Sequence, residues 1–159
     1  MAVDFFIKLG DIAGESTDAA YKGWIEVLGW AWGMSQSGTM HSGTGGGTGK
    51  VSVQDFSFTK YVDKSTPNIM QKCCTGKHYP KVEFIARKAG DKPVDYVKLT
   101  MEEVIVTSAT TGGGVGQESV TENVTLNFAK YKYEYTPQKA DGSADASIPQ
   151  TFSIRENKE

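Results

Sequence analysis

Between Lys50 and Gly76 the hydrophobic pattern changes from the period of a strand to the period of a helix, and this one change restricts the possible folds. Val51 and Val53, then Phe56 and Phe58, alternate with polar residues, which predicts a strand. The parity slips between Val53 and Phe56. One extra residue near Gln54-Asp55, a β-bulge, returns all four to one face and bends the strand as a barrel requires. A helix follows, with Ser65 or Thr66 at its cap, Pro67 in its first turn and Gly76 at its left-handed stop. Ile69, Met70, Cys73 and Cys74 fall on one helical face. So short a helix is marginal alone and must dock on the strands around it.

Those strands can be read along the chain. Val3, Phe5, Ile7 and Leu9 alternate with polar positions and with Phe6. Gly23 to Ser35 reads as one long strand with Trp24, Leu28, Trp30, Trp32 and Met34 on the core face, and with Gly29, Ala31 and Gly33 opposite them. Lys81 to Ala89 and Val94 to Thr110 form a hairpin about Gly90–Pro93. Ser119 to Thr136 places Val120, Val124, Leu126 and Phe128 on one parity and Tyr131, Tyr133 and Tyr135 on the other, which predicts a bulge near Ala129-Lys130. Phe152 and Ile154 mark a last short strand. Many strands, one helix and glycine-rich turns predict a mainly β fold, an antiparallel β-barrel of two packed sheets with one flanking α-helix. The whole chain, 1–159, reads as a single domain able to bury roughly 70% of its unfolded surface.

Composition excludes several classes. A net charge of −2 offers no basic stripe for nucleic acid. No stretch approaches a membrane span, and the first residues lack the basic and apolar regions of a signal peptide. Cys73 and Cys74 are adjacent in a helix, where disulfide geometry is hard to reach.

No catalytic, cofactor or metal constellation emerges. Gly49-Lys50 ends a glycine-rich loop, but Thr44 stands where a phosphate loop needs glycine, Val51 replaces the magnesium-binding hydroxyl, and a strand follows. His41 lies in that loop, unpinned, and His78 follows the helix C-terminus, where the dipole gives it a structural role. Cys73, Cys74 and His78 lack a fourth metal ligand at matching spacing. Glu102 and Glu103, adjacent in a strand, are expected on opposite faces and so form no carboxylate pair.

Specific segments do resemble a known family. Gly33-Met-Ser-Gln-Ser-Gly38, Val53-Gln-Asp-Phe-Ser-Phe-Thr-Lys-Tyr61, Asp63-Lys-Ser-Thr-Pro-Asn68, Thr75-Gly-Lys-His-Tyr-Pro80 and Thr121-Glu-Asn-Val-Thr-Leu-Asn-Phe128 are similar, in order, to the haemolysin-coregulated protein family. These are tube subunits of the bacterial type VI secretion apparatus. The resemblance implies a homohexamer whose rings stack into a tube within a contractile sheath, with a spike protein at the tip. It also implies effector proteins carried in the lumen, and a cytoplasmic protein later secreted without a signal peptide. Within that frame Gly29, Ala31 and Gly33 are expected to face the lumen. Thr39, Met40, His41, Thr44, Gly45, Gly46, Gly47, Gly113 and Gly114 are expected in loops that join subunits or stacked rings. A monomeric β-barrel that binds a small ligand is the alternative.

Overall fold

A computed structural model describes residues 2–38, 40–41 and 49–159. Ten strands and one helix are found among them: β1 (Val3–Leu9), β2 (Ile25–Val27), β3 (Gly29–Ala31), β4 (Met34–Ser35), β5 (Ser52–Val53), β6 (Phe56–Tyr61), α1 (Thr66–Thr75), β7 (Tyr79–Lys88), β8 (Val94–Gly112), β9 (Thr121–Tyr135) and β10 (Ile148–Ser153). Eight strands form one antiparallel sheet in the order β2-β1-β7-β8-β9-β6-β3, with β10 paired to β9; β4 and β5 form a separate ribbon. The two ends of this sheet are consecutive in sequence. β2 pairs with β1 and β3 pairs with β6, and between them the Leu28 amide donates to the Thr59 carbonyl at 2.7 Å. The sheet therefore curls into a nearly closed barrel, and the two packed layers are its opposite walls.

The barrel is filled. Ile7, Leu9, Ile25, Phe56, Phe58, Val82, Phe84, Leu99, Met101, Val104, Val124 and Leu126 are all within 1% of complete burial. Trp30 closes the aromatic centre, with ring centroids 4.8 Å from Phe84 and 5.9 Å from Phe56.

Several local expectations are corrected. Gly23 to Ser35 is three short strands with three different partners. Ile25 and Val27 face the core; the inward parity then passes to Trp30 and Trp32 as the chain changes partner at Leu28-Gly29. Leu28 and Met34 are consequently exposed, and Trp24 packs outside the barrel with Phe6 and Tyr21. The irregularity at Gln54-Asp55 is a break between β5 and β6, which belong to different sheets. Val120 is exposed beyond the start of β9.

The slip expected near Ala129-Lys130 has a partner. β8 changes its inward parity at Glu102-Glu103 directly opposite, where Glu103 has a φ of 53°. Buried Met101 and Tyr131 lie on one side of the change, and Val104 and Phe128 on the other. Glu102 and Glu103 are thus both exposed, not on opposite faces.

Helix α1 begins after Ser65, whose side chain makes no capping bond to the helix, and ends at Gly76 with φ 69°. Only Ile69 of its apolar stripe is fully buried; Cys73 packs partly, while Met70 and Cys74 face outward. Docking against a single strand, β8, covers one narrow line of a helix, so a four-residue stripe is wider than the contact.

Candidate functional site

Register builds one unusual surface. Gly29, Thr59, Asn123 and Thr110 are aligned across β3, β6, β9 and β8, and the next row is Ala31, Ser57, Thr125 and Ser108. All eight alternate with core residues and so point out of the barrel. The outward side chains are small, and the larger ones are hydroxyls or amides. They bond to each other: Thr59 Oγ1 donates to Asn123 Oδ1 at 2.6 Å, and Thr125 Oγ1 lies 2.6 Å from Ser108 Oγ and 2.7 Å from Thr107 Oγ1. The register shift between Val106 and Ser108 adds Thr107 to this face.

The opposite wall is charged. Lys81, Glu102 and Lys130 form one row across β7, β8 and β9; Glu83, Thr100 and Lys132 form the next; Ile85, Lys98 and Glu134 the third. Signs alternate along strands too, with Lys81 and Glu83 paired at 2.6 Å and Lys132 and Glu134 at 3.7 Å. One barrel therefore presents an uncharged wall and a charged wall.

The first ring of loop, residues 10–24, lies over the end of the charged wall. Arg87 anchors it, bonding Asp18 at 2.6 and 2.9 Å and Asp4 at 3.1 Å, with its guanidinium carbon 5.1 Å from the Phe6 ring and 5.6 Å from Tyr21. The Arg87 hydrogen bonds hold the Asp18 carboxyl down at about 2. Burial, then the hydrogen bond to Asp95, pushes the Tyr21 hydroxyl well above its ordinary value.

Of the residues singled out in sequence, Gly29 and Ala31 lie on the uncharged wall; a side chain at Gly29 would meet nothing within 4 Å. Gly33 sits beyond them, against the Gln54 side chain, with its carbonyl bound by the Gln54 amide at 2.9 Å. Met40 and His41 are exposed in a turn. Gly113 and Gly114 lie at the tip of the β8–β9 hairpin, where the Gly114 amide donates to Gln117 Oε1 at 2.8 Å. Thr39, Thr44, Gly45, Gly46 and Gly47 lie outside the described residues. Among the described residues, no three His, Cys, Asp or Glu side chains gather as a metal site.

Comparison with known proteins decides the family. The sequence model described as "Type VI secretion system effector, Hcp" matches residues 6–135. The chain belongs to the Hcp family. It is 56% identical over 159 residues to protein hcp1 of Pseudomonas aeruginosa, covering 99% of this chain and 98% of that protein. A solved type six secretion system protein superposes with a TM-score of 0.93 at 32% identity, and Hcp1 of Salmonella typhimurium with 0.82 at 37%, each over 99% of both chains. This Hcp chain is thus a type VI secretion protein with the barrel of its family, and no described helix is long and apolar enough to cross a membrane.

The sequence reading missed most of the uncharged wall: Ser57, Thr59, Thr107, Asn123, Thr125 and Asn127. The signal was present, since the outward parity of 57–59 and 121–127 holds only Ser, Thr and Asn, while that of 81–87 and 130–134 is mostly charged.

Proposed function

We propose that this Hcp chain is a structural subunit that closes into a six-membered ring, with the uncharged wall turned to the lumen. Rings stack into the inner tube of the secretion apparatus, within a contractile sheath and behind a spike protein, and effector proteins travel inside. The observation that carries this reading is the two-row patch Gly29-Thr59-Asn123-Thr110 and Ala31-Ser57-Thr125-Ser108. A bore that passes proteins of varied surface must be free of protruding side chains, which the small residues of these two rows provide. The charged wall then faces outward, where alternating signs suit water and the sheath. A closed ring needs a heterologous interface, with one face of each subunit meeting a different face of the next. The turn of Met40 and His41 and the tip at Gly113 and Gly114 are the described candidates for such joints, and Thr39, Thr44, Gly45, Gly46 and Gly47 are assigned to them on the sequence alone.

A filled barrel disfavours the small-ligand alternative, since Phe56, Phe84, Leu99 and Met101 occupy the interior. Export would proceed from the cytoplasm through the apparatus itself. Light scattering of the purified chain tests the assembly: a species near six times 17.2 kDa, with rings in negative-stain micrographs, is expected. A clean monomer at every concentration, with no rings, overturns it.

A further inference from the structure

The four strand segments of the uncharged wall, 29–31, 56–61, 104–112 and 121–129, contain two charged residues, Lys60 and Glu122. Both point inward, are buried, and pair with each other. An outward charge without an ion-pair partner among the described residues reaches the wall from just outside these segments. Asp55 precedes β6 and reaches Thr107 and Asn127 on the outward face of β8 and β9: its Oδ2 accepts from Thr107 Oγ1 at 2.7 Å and its Oδ1 from Asn127 Nδ2 at 2.9 Å. Both donors are neutral, so they fix the carboxylate without cancelling its charge. A carboxylate has roughly four acceptor sites, so capacity remains for a further donor. Glu103, next to the start of the 104–112 segment, differs in having Arg155 as its ion-pair partner.

We infer that Asp55 sets the charge preference of the bore. The inference rests on the ring reading above: in a closed ring, Asp55 recurs in every subunit as a belt of carboxylates on a wall whose four strand segments expose no charge of their own, while Glu103 and Arg155 at its border pair with each other. A narrow passage lined by one sign of charge concentrates the opposite sign. The belt therefore favours cargo surfaces bearing Lys or Arg over surfaces bearing Asp or Glu, while the neutral rows around it are indifferent to charge.

The test uses assembled rings with fluorescent hexalysine and hexaglutamate as probes, read by anisotropy. At about 0.01 M salt, where the screening length is roughly 30 Å, wild-type rings retain hexalysine, and the preference disappears near 1 M. Asp55→Asn should weaken hexalysine binding about tenfold, the scale of a lost belt of close charges. Asp91→Asn, which makes the same charge change in the exposed turn between β7 and β8, should leave it within about twofold. Equal losses in the two variants, or none in Asp55→Asn, overturn the inference. If Asp55→Asn rings fail to form, Thr59→Lys reads the same wall: it should abolish hexalysine retention and create hexaglutamate retention, and no change in either overturns the inference. Absence of wild-type rings in micrographs is a separate result, and it removes the ring reading itself.

Discussion

Lys60 and Glu122 stand directly opposite each other on β6 and β9, facing the barrel interior, and each is at most 1% exposed. The Lys60 ammonium also donates to the Tyr61 carbonyl at 2.9 Å, to Asp63 Oδ1 at 3.0 Å and to Thr66 Oγ1 at 3.2 Å, and Thr66 in turn donates to Glu122 at 2.8 Å. The pair thus ties two strands to the first residue of α1. Glu122 Oε2 is buried without a partner, so the network is not fully satisfied.

Breaking one side of this pair should cost more than removing both. Lys60→Met leaves Glu122 uncompensated and should destabilise the subunit by about 3–5 kcal/mol. Adding Glu122→Leu to Lys60→Met should restore part of that loss, because the double variant no longer buries Glu122 as a lone charge, while the loss of the Lys60–Asp63 pair remains. Urea denaturation of the two single variants and the double variant measures the coupling. Strictly additive losses would show that the charges do not depend on each other.

Ile69 is the apolar anchor of the helix, beside the polar tie at Thr66. Ile69 is fully buried where α1 meets β8, and Met70 and Cys74 contribute little because they face outward. Ile69→Ala should cost about 2–5 kcal/mol. Cys74→Ser, on the exposed side, should change stability by less than about 0.5 kcal/mol. A denaturant midpoint unmoved by Ile69→Ala would mean that α1 is not docked through this residue.

Local patterns were legible where a strand keeps at least one neighbour along its whole length, as β1 keeps β7. β1, the β7–β8 hairpin and the ends of α1 follow from alternation, turn residues and caps, and all are found where the sequence placed them. The run from Gly23 to Ser35 misled because it changes partner twice. Its tryptophans set one apparent parity, yet Ile25 and Val27 fill the core from the other. The buried pair was visible in principle: Lys60 continues the inward parity of Phe56 and Phe58, and Glu122 precedes that of Val124 and Leu126. Only the register of β6 on β9 turns those two oddities into one neutral pair. The uncharged wall is likewise a property of four strands together, so no single segment displays it.

The loop anchored by Arg87 should loosen in acid. In the folded chain Asp18 is held at about 2, below its ordinary value of 3.8, by the hydrogen bonds from Arg87. A depressed carboxyl contributes its stability above the ordinary value and loses it as the pH falls through the folded one. Stability attributable to Asp18 should therefore be complete above about pH 4 and decline toward pH 2. Comparing wild type with Asp18→Asn across that window isolates the effect, since the variant should show a shallower acid loss. Parallel curves would assign the acid sensitivity to other carboxylates.

Ala31 offers the most direct test of which wall faces the lumen. It lies on β3 opposite Ser57, exposed, in the second row of the uncharged wall, and Gly29 beside it borders open space. Nothing inside the subunit depends on its methyl group, so Ala31→Gln should shift stability by less than about 0.5 kcal/mol. If the wall lines the bore, the longer side chain projects into water, rings form as before, and secretion of lumen cargo falls. If another subunit packs on this face, overfilling the contact should cost about 1–3 kcal/mol and disrupt the ring. Micrographs and a secretion assay on the same variant separate these outcomes. Intact rings that still export every effector at wild-type levels would remove Ala31 from the lumen.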